Sequence, residues 1–323
     1  MYDCIIVGGG FAGLQAAIQL GRYGHRVKVV DKGYGRSTLC RSYRNLIGWP
    51  DGVSGQELRR LGQLQAQRLG VEFVQDEALA AARDGEMFEV ALYGGGSGGV
   101  LKGRTLLIAT GIADRYPALP GLEARLGYSV YVCPDCDGYE TVGRRTIVMG
   151  AGEAGSGIAL ALKYWCDDLV YVNHERKAIG SAHRGKLEEL GIAYVEAEIA
   201  EVLGNGSSEE GAFGGVRLTT GETIQGERGF IAFGGNRVHS DWAVSLGIER
   251  MENKHIVTDP RTKMTQVPGV WAAGDIGVHA EQSVIAMGEG SQAAIWIHKE
   301  LLKRGARRHI QVEAQGCAVT RSR

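Results

Sequence analysis

The chain opens with an apolar run, a glycine-rich turn and a helical pattern. The apolar residues within 3–7 predict a buried strand, and Gly8–Gly13 follows as a tight turn. The next apolar stretch, 14–20, predicts a helix, and a second strand is predicted over 27–30 with Asp31 at its end. This order of elements is a βαβ unit.

The same order returns near the middle of the chain. A strand is predicted over 146–149, a glycine-rich turn over Gly150–Gly155 and a helix over 158–164. A further strand is predicted over 169–172, and Asn173 stands at its end. The chain therefore contains the βαβ unit twice.

Both turns have the spacing Gly-x-Gly-x-x-Gly between a strand and a helix. The glycines are Gly8, Gly10 and Gly13 in the first unit and Gly150, Gly152 and Gly155 in the second. Glycine at these positions permits the tight turn and brings backbone N–H groups and the helix N-terminus against a pyrophosphate. Either turn alone is weak evidence, but two in this context predict a protein that binds dinucleotides.

The residue at the end of each second strand distinguishes the two predicted sites. Asp31 stands where a carboxylate accepts the ribose hydroxyls of a dinucleotide. The equivalent residue, Asn173, is neutral. An NADP site requires cations for the 2′-phosphate, and Arg176 and Lys177 could supply them, but Glu175 opposes them. The second nucleotide is left open between NADPH and NADH.

Two similar segments indicate how the domains are arranged. Each is an apolar strand with a glycine stop, at Leu106–Gly111 and Gly229–Gly235, and the second βαβ unit lies between them. We therefore predict an α/β protein with two Rossmann-like domains, the second inserted into the first. The predicted first domain comprises 1–113 and 243–323, and the inserted domain comprises 114–242.

Charge and composition narrow the class of partner. The chain has 323 residues, with 36 Lys and Arg against 37 Asp and Glu, which argues against a nucleic-acid partner. A charge-free stretch at 4–21 is rich in glycine, so it favours strand, turn and helix over a membrane span. No basic signal-peptide region precedes it, and we expect a cytoplasmic protein without an integral membrane segment.

The pair Cys133 and Cys136 has redox spacing. Two intervening residues allow the thiols to close a small disulfide ring, and a helix start beside them would lower the pKa of one thiol. No second cysteine pair or histidine cluster accompanies them, so we expect no metal site. Asp137 follows directly and could be a general acid or a helix N-cap. If one of the two predicted dinucleotide sites holds a flavin, the flavin and this dithiol together indicate thiol–disulfide exchange.

The remaining four cysteines give weaker evidence of a redox role. Cys4 lies in a predicted buried strand and Cys166 ends a predicted helix, so both favour a structural role. Cys40 and Cys317 lie in a loop and in the tail, where each could be a third redox thiol or a thiol exposed by chance.

These elements together resemble the low-molecular-weight thioredoxin reductases. The resemblance covers nearly the whole chain, to about Leu302, and its most specific part is the run Cys133–Gly138. It implies a homodimeric flavoenzyme with FAD on the first and last segments of the chain. The inserted domain would then carry the dithiol and, in the family, NADPH.

The resemblance also assigns residues. Those that would contact FAD are Gly8, Gly10, Phe11, Ala12, Gly13, Asp31, Thr110, Gly111, Gly274, Asp275 and Gln282. Cys136 would face the flavin, Cys133 would attack the substrate disulfide and Asp137 would donate a proton. Gly150, Gly152, Gly155 and Asn173 would belong to the second nucleotide.

Departures from the family pattern leave three hypotheses open. The family's His-Arg-Arg cluster is replaced by Asn173-His174-Glu175, and its Arg-Gln pair by Glu281-Gln282. The first hypothesis is an FAD-dependent disulfide reductase that acts on thioredoxin or a similar small protein. The second is a relative independent of pyridine nucleotides: a dithiol oxidase, a ferredoxin-linked enzyme or one with a second FAD. The third is a flavin-binding regulator without turnover.

Overall fold

The computed structural model describes residues 1–94, 99–206, 211–278, 281–307 and 309. They form two compact units. The first unit comprises Met1–Gly33, Leu61–Thr110 and the described residues from Ser240 onward; the second comprises Tyr34–Arg60 and Gly111–His239.

Both strands and helices form along the described chain. The strands are β1 (Tyr2–Val7), β2 (Val27–Asp31), β3 (Glu72–Gln75), β4 (Ala78–Asp84), β5 (Met87–Leu92), β6 (Val100–Ile108), β7 (Ile112–Ala113), β8 (Val130–Tyr131), β9 (Thr146–Gly150), β10 (Leu169–Asn173), β11 (Ala193–Val195), β12 (Ile199–Gly204), β13 (Phe213–Leu218), β14 (Thr223–Gln225), β15 (Arg228–Ala232), β16 (Arg237–Val238) and β17 (Val270–Ala272). The α-helices are α1 (Phe11–Arg22), α2 (Arg36–Leu39), α3 (Gly55–Gln67), α4 (Pro134–Asp137), α5 (Gly152–Leu162), α6 (Ser181–Glu189) and α7 (Ser283–Lys303). Short 3-10 helices span Gly138–Thr141 and Asp241–Leu246.

The sheet of the first unit has the order β3-β2-β1-β6-β5-β4, and β17 also pairs with β6. Strands β1, β2, β3, β6 and β17 run parallel, whereas β4 and β5 are antiparallel additions. Residues Cys4, Ile5 and Ile6 are fully buried, as expected for a parallel strand covered on both faces. Because the parallel strands share a direction, their carboxyl ends meet at one edge of the sheet, where such folds bind ligands.

Helices α1 and α7 pack against each other in this unit at very close range. A Cβ at Gly290 in α7 would come within 2.1 Å of the backbone oxygen of Ala12 in α1. A Cβ at Gly274, in the loop after β17, would come within 2.8 Å of the Ala12 Cβ. Glycine at these two positions therefore holds α7 and the loop after β17 against the first turn of α1.

The second unit has its own parallel sheet, in the order β11-β10-β9-β15-β8. An antiparallel sheet, β12-β13-β14, and the pair β7 and β16 accompany it. Its core includes Val148, Tyr171 and Phe230, which are fully buried. The predicted α/β class with two Rossmann-like domains is therefore confirmed.

The segment Tyr34–Arg60 groups with the second unit, although the sequence prediction places it within the first domain. The cofactor-binding boundaries, 1–113 with 243–323 and 114–242, stay predictions. Strands β5 and β6 form an antiparallel hairpin; the residues that join them, 95–98, lie outside the described residues, as does most of the tail.

The close approach of α7 to α1 generates a prediction with a matched control in the same helix. We expect Gly290→Ala to lower the free energy of unfolding by about 1–3 kcal/mol, because its methyl group would overlap the Ala12 carbonyl. Gly288→Ala meets nothing within 4 Å and should stabilise α7 by about 0.5–1 kcal/mol. Urea-induced unfolding followed by circular dichroism measures both, and equal effects of the two substitutions would contradict this packing.

Candidate functional site

In the first glycine turn, backbone segments lie so close together that a side chain would not fit between them. A Cβ at Gly13 would lie 1.9 Å from the backbone oxygen of Gly8, and a Cβ at Gly8 would lie 2.2 Å from that of Ala109. Gly8 also has a left-handed φ of 111°. Helix α1 begins at Phe11 after the N-cap residue Gly10, and no side chain caps it. The start of α1 therefore has the geometry that receives an anionic group.

Asp31 lies beside this turn at the end of β2. The backbone N–H of Gly9 donates a hydrogen bond to its Oδ1 atom at 3.2 Å. Thr110 follows the end of β6, and its backbone nitrogen lies 3.0 Å from where a Cβ of Gly8 would be. The sheet therefore brings these predicted residues to one edge.

The loop after β17 completes this site. Gly274 has a φ of 80°, and its N–H donates to Oε2 of Glu289 at 2.9 Å. The other carboxylate oxygen of Glu289 accepts a 2.6 Å hydrogen bond from Lys263. The sequence analysis missed Glu289. The feature that could have indicated it is an acidic residue in a stretch of α7 that otherwise consists of small and apolar residues.

These residues fit FAD. Two glycines without room for a Cβ, an uncapped helix start, a strand-end carboxylate and the Gly274–Asp275 loop converge within the first unit. Gln282 is the N-cap residue of α7, whereas Gly111 belongs to the second unit. FAD, when bound, supplies a two-electron carrier able to exchange electrons with a disulfide.

The predicted dithiol lies on α4, a single helical turn in the second unit. Cys133 is its N-cap residue, with extended backbone, and Pro134 occupies the first helical position, where its fixed φ is favourable. The N–H groups of Cys136 and Asp137 donate to the Cys133 carbonyl at 3.2 and 3.0 Å. Gly138 follows α4 directly, and a Cβ there would lie 2.7 Å from the Trp165 ring. The turn therefore holds both sulfur atoms on one short segment.

The two thiols have opposite pKa shifts. The Cys136 thiol donates to the Cys133 sulfur, which lowers the pKa of Cys133; the Cys136 backbone N–H and the charge of Arg36 lower it further. The same hydrogen bond, together with burial, raises the pKa of Cys136. Cys133 is therefore the thiol that ionises first and the better nucleophile at neutral pH.

Asp137 retains a proton near neutral pH. Burial and the charge of Glu140 raise its pKa to about 7, while Arg44 opposes this shift. Arg44 forms an ion pair of 2.7 Å with Glu140. Asp137 lies within α4 and at the N-cap position of the 3-10 helix Gly138–Thr141, where its side chain makes no capping hydrogen bond. A carboxyl with this pKa can both donate and accept a proton near pH 7.

Arg36 is a charged neighbour of the dithiol that the sequence analysis missed. It lies in α2 and pairs with Asp114 at 2.9 Å. The contact joins residues 78 positions apart in the chain, so no local pattern could have indicated it. Its positive charge favours the thiolate form of Cys133.

The other cysteines differ from the dithiol. Burial, followed by the charge of Asp137, raises the pKa of Cys40 to about 12, so Cys40 is protonated at neutral pH. Burial also raises the pKa of Cys4 to about 12, and Cys166 is buried. Cys317 lies outside the described residues.

The second glycine turn lies in the second unit. Gly150 ends β9, Gly152 begins α5, and a Cβ at Gly155 would lie 2.4 Å from the Tyr171 ring. Asn173 ends β10, is fully buried and accepts a 3.0 Å hydrogen bond from the Gly152 N–H. The turn and the strand end are therefore adjacent, as in the first unit.

Comparisons with known proteins agree with this geometry. The family model for pyridine nucleotide-disulphide oxidoreductase matches residues 2–290. The alkyl hydroperoxide reductase F subunit of Pseudomonas putida is 31% identical over 94% of this chain and 59% of its own length. Thioredoxin reductase of Peptoclostridium acidaminophilum is 29% identical, covering 93% of this chain and 96% of its own. The crystal structure of HlmI superimposes with a TM-score of 0.83 at 29% identity, covering 94% and 93% of the two chains.

The chain belongs to the pyridine nucleotide-disulphide oxidoreductase family, a family of enzymes. It resembles thioredoxin reductases over nearly their full length. It spans about three fifths of the length of the alkyl hydroperoxide reductase subunits that it matches. No helix in the described part of the chain is long and apolar enough to cross a membrane. Among the same residues, no group of three or more His, Cys, Asp or Glu side chains could hold a metal ion.

The hydrogen bond between the two thiols predicts how Cys133 reacts with alkylating agents. In the reduced protein, Cys136→Ala should move the pH midpoint for Cys133 alkylation upward, because the thiol that stabilises the Cys133 thiolate is lost. Cys136→Ser should move it less, since a hydroxyl can still donate. Mass spectrometry of iodoacetamide-treated protein across a pH series measures the midpoint, and one common midpoint for all three proteins would contradict the assignment.

The raised pKa of Asp137 predicts a pH-dependent stability. The folded protein binds this proton more tightly than the unfolded chain, so the stabilisation is complete below pH 4 and disappears as pH rises to about 7. Asp137→Asn should therefore stabilise the protein above pH 7, by on the order of 4 kcal/mol at most, and change little at pH 4.

The exposed Asp135 on the same helical turn provides the control for that measurement. Urea-induced unfolding at pH 4 and pH 8 should show no such pH-dependent difference for Asp135→Asn. An Asp137→Asn protein whose stability changes with pH as the parent's does would show that Asp137 is not the group responsible.

Proposed function

We propose that the protein is an FAD-dependent thiol–disulfide oxidoreductase whose Cys133–Cys136 pair exchanges two electrons with a disulfide of a thioredoxin-like protein. The observation that carries this proposal is the asymmetric dithiol: one thiol with a lowered pKa beside Arg36, and a second thiol that donates to it. The FAD-compatible turn of the first unit supports a flavin as the other electron carrier. The family relationship supports the same chemistry.

The proposed exchange follows from the ordering of the two thiol pKa values. The Cys133 thiolate attacks the substrate disulfide, forms a mixed disulfide and expels one substrate sulfur as a thiolate. Cys136 then loses its proton and attacks the Cys133 sulfur, which releases the second substrate thiolate and closes the Cys133–Cys136 disulfide. The substrate gains two electrons and the enzyme dithiol loses two.

Asp137 is proposed to handle the proton in this exchange. The hydrogen bond to Cys133, together with burial, raises the pKa of Cys136, so its attack on Cys133 needs a base close by. Asp137 is the next residue, and its pKa of about 7 allows it to accept that proton and return it when the dithiol forms again.

Exposed apolar residues after the dithiol support a protein-sized substrate. Tyr139 is 76% exposed and Val142 is 53% exposed, and both follow Cys136 within six residues. A partner protein that docks at the dithiol could cover these two side chains, which are close to it in sequence. A small disulfide or dithiol would leave these side chains in water.

Other features of the proposal rest on the resemblance to thioredoxin reductases. A homodimer and a cytoplasmic location stay predictions, as do the individual FAD contacts from Gly8, Asp31, Asp275 and Gln282. We propose one FAD in the first unit.

A single-turnover experiment tests the proposed exchange without an external electron donor. Holoenzyme reduced with dithiothreitol, freed of it and mixed anaerobically with oxidised thioredoxin should reduce about one disulfide per chain with the two electrons of the dithiol, and about one more where the flavin has also been reduced. Cys136→Ser should accumulate a mixed disulfide through Cys133, because the resolving thiol is absent. Cys133→Ser should form none. Gel-shift assays of thioredoxin thiols and mass spectrometry of the adduct give the two readouts.

Cys166→Ser is the matched control, since Cys166 donates to the Arg144 carbonyl at 3.2 Å and a hydroxyl can do the same. It should exchange at the parent rate. Full exchange by Cys136→Ser without a trapped adduct would overturn the proposed order of attack. Absence of any exchange in the parent would favour the flavin-binding regulator instead.

A further inference from the structure

The second glycine turn differs from the first in what lies against it. The chain from Asn173 to Gly180, which joins β10 to α6, folds back onto the start of α5. In a dinucleotide site, the ribose and pyrophosphate lie along the corresponding strand end and helix start. The contacts of this segment therefore decide whether a nucleotide can enter.

Asn173 has both halves of its amide engaged within the protein. Its Oδ1 accepts from the Gly152 N–H at 3.0 Å, while Nδ2 donates to the Lys177 carbonyl at 2.7 Å and to the Tyr194 hydroxyl at 3.0 Å. The side chain is fully buried. Asn173 therefore fixes the fold of the segment, and the Gly152 N–H that faces it is already bonded.

The space that the second glycine of the motif should leave for a pyrophosphate is filled by the chain. A Cβ at Gly152 would lie 3.1 Å from the Lys177 Cβ and 3.2 Å from the Ala178 carbonyl oxygen. A Cβ at Gly180 would lie 2.8 Å from Oε1 of Glu153, in the first turn of α5. A carbonyl oxygen and a carboxylate thus stand near a helix start where a diphosphate would need positive partners.

Of the two cations that could meet a 2′-phosphate, Lys177 is paired with an acid, whereas Arg176 is exposed. Glu175 accepts hydrogen bonds from Arg115 at 2.7 and 3.1 Å and forms an ion pair with Lys177 at 2.7 Å. Arg115 also donates to the carbonyls of Phe233 and Gly234. The Arg115 hydrogen bonds hold the pKa of Glu175 at about 2, so its negative charge is present at any working pH. With Arg115 and Lys177 engaged by Glu175, the segment lacks the cationic pair that a 2′-phosphate requires.

We propose that the second glycine turn is closed by the chain's own segment Asn173–Gly180 and binds neither a pyridine nucleotide nor a second FAD. The turn then has a structural role, because it packs the start of α5 against β10. This inference rests on the proposed function, since it says that the electrons exchanged at Cys133 and Cys136 do not come from a nucleotide bound at this turn.

Binding measurements on the purified holoenzyme test the proposal directly. Isothermal titration with NADPH and with NADH should show no saturable binding up to about 1 mM, and the flavin content should be one FAD per chain. A dissociation constant below about 100 µM for either nucleotide, or two flavins per chain, would overturn it. Binding of NADPH would point to Arg176, beside Glu175, as the phosphate contact.

Hydrogen exchange supplies a second readout with an internal control. Removing FAD and adding it back should change the protection of Gly8–Gly13, which shows that the method detects a dinucleotide at a glycine turn. Adding NADPH or NADH at about 1 mM should leave 150–155 and 173–180 unchanged. Added protection in those two segments would contradict the closed turn.

The two proposals fail separately. Single-turnover exchange with thiol-reduced enzyme uses no nucleotide, so its loss would overturn the dithiol chemistry and leave the closed turn untouched. Nucleotide binding with intact exchange would overturn the closed turn alone.

Discussion

Backbone segments around Ala12 lie so close together that no side chain fits between them. The packing of the first unit depends on this close contact. The loop after β17 reaches the start of α1 at Gly274, and α7 reaches it at Gly290. Within the turn, Gly13 lies against the carbonyl of Gly8. The shape offered to a dinucleotide is therefore made of main chain, and side chains such as Glu289 act by fixing that main chain.

This construction explains what the sequence could predict. Strands, glycine turns and the helices that follow them are local patterns, so both βαβ units, the α/β class and the position of the dithiol were predictable from neighbouring residues. The charged residues that shift the pKa values of the site were not predictable. Arg36 forms an ion pair with Asp114, which lies 78 positions away in the chain, and Arg115 forms one with Glu175, 60 positions away. Contacts of this kind have no period or spacing, since they depend on how the sheets bring distant segments together.

The two glycine turns share a motif but differ in the contacts of the residue at the strand end. In the first unit the strand-end residue Asp31 accepts from Gly9, the middle residue of the motif's first triplet. In the second unit Asn173 accepts a hydrogen bond from Gly152, which is the third residue of the motif, whereas Gly9 is the second. Helix α5 begins at the third residue of its motif, and α1 begins at the fourth. The amide of Asn173 bonds both the helix start, at the Gly152 N–H, and the following segment, at the Lys177 carbonyl. Motif and spacing are the same in both copies; the sequence separates them at Asp31 and Asn173, and the structure shows which contacts these two residues make.

The assignment of Tyr34–Arg60 to the second unit has a consequence for dissecting the enzyme. The dithiol is encoded near residue 133, but the guanidinium groups that act on its surroundings, Arg36 and Arg44, come from a chain segment almost a hundred residues earlier. A fragment cut at the borders of the inserted domain would carry both cysteines without these cations. Such a fragment would lose the Arg36 charge that lowers the pKa of Cys133 and the Arg44 charge that lowers the pKa of Asp137. The charges around this dithiol come from two separate stretches of sequence, so the Cys-x-x-Cys motif alone does not carry them.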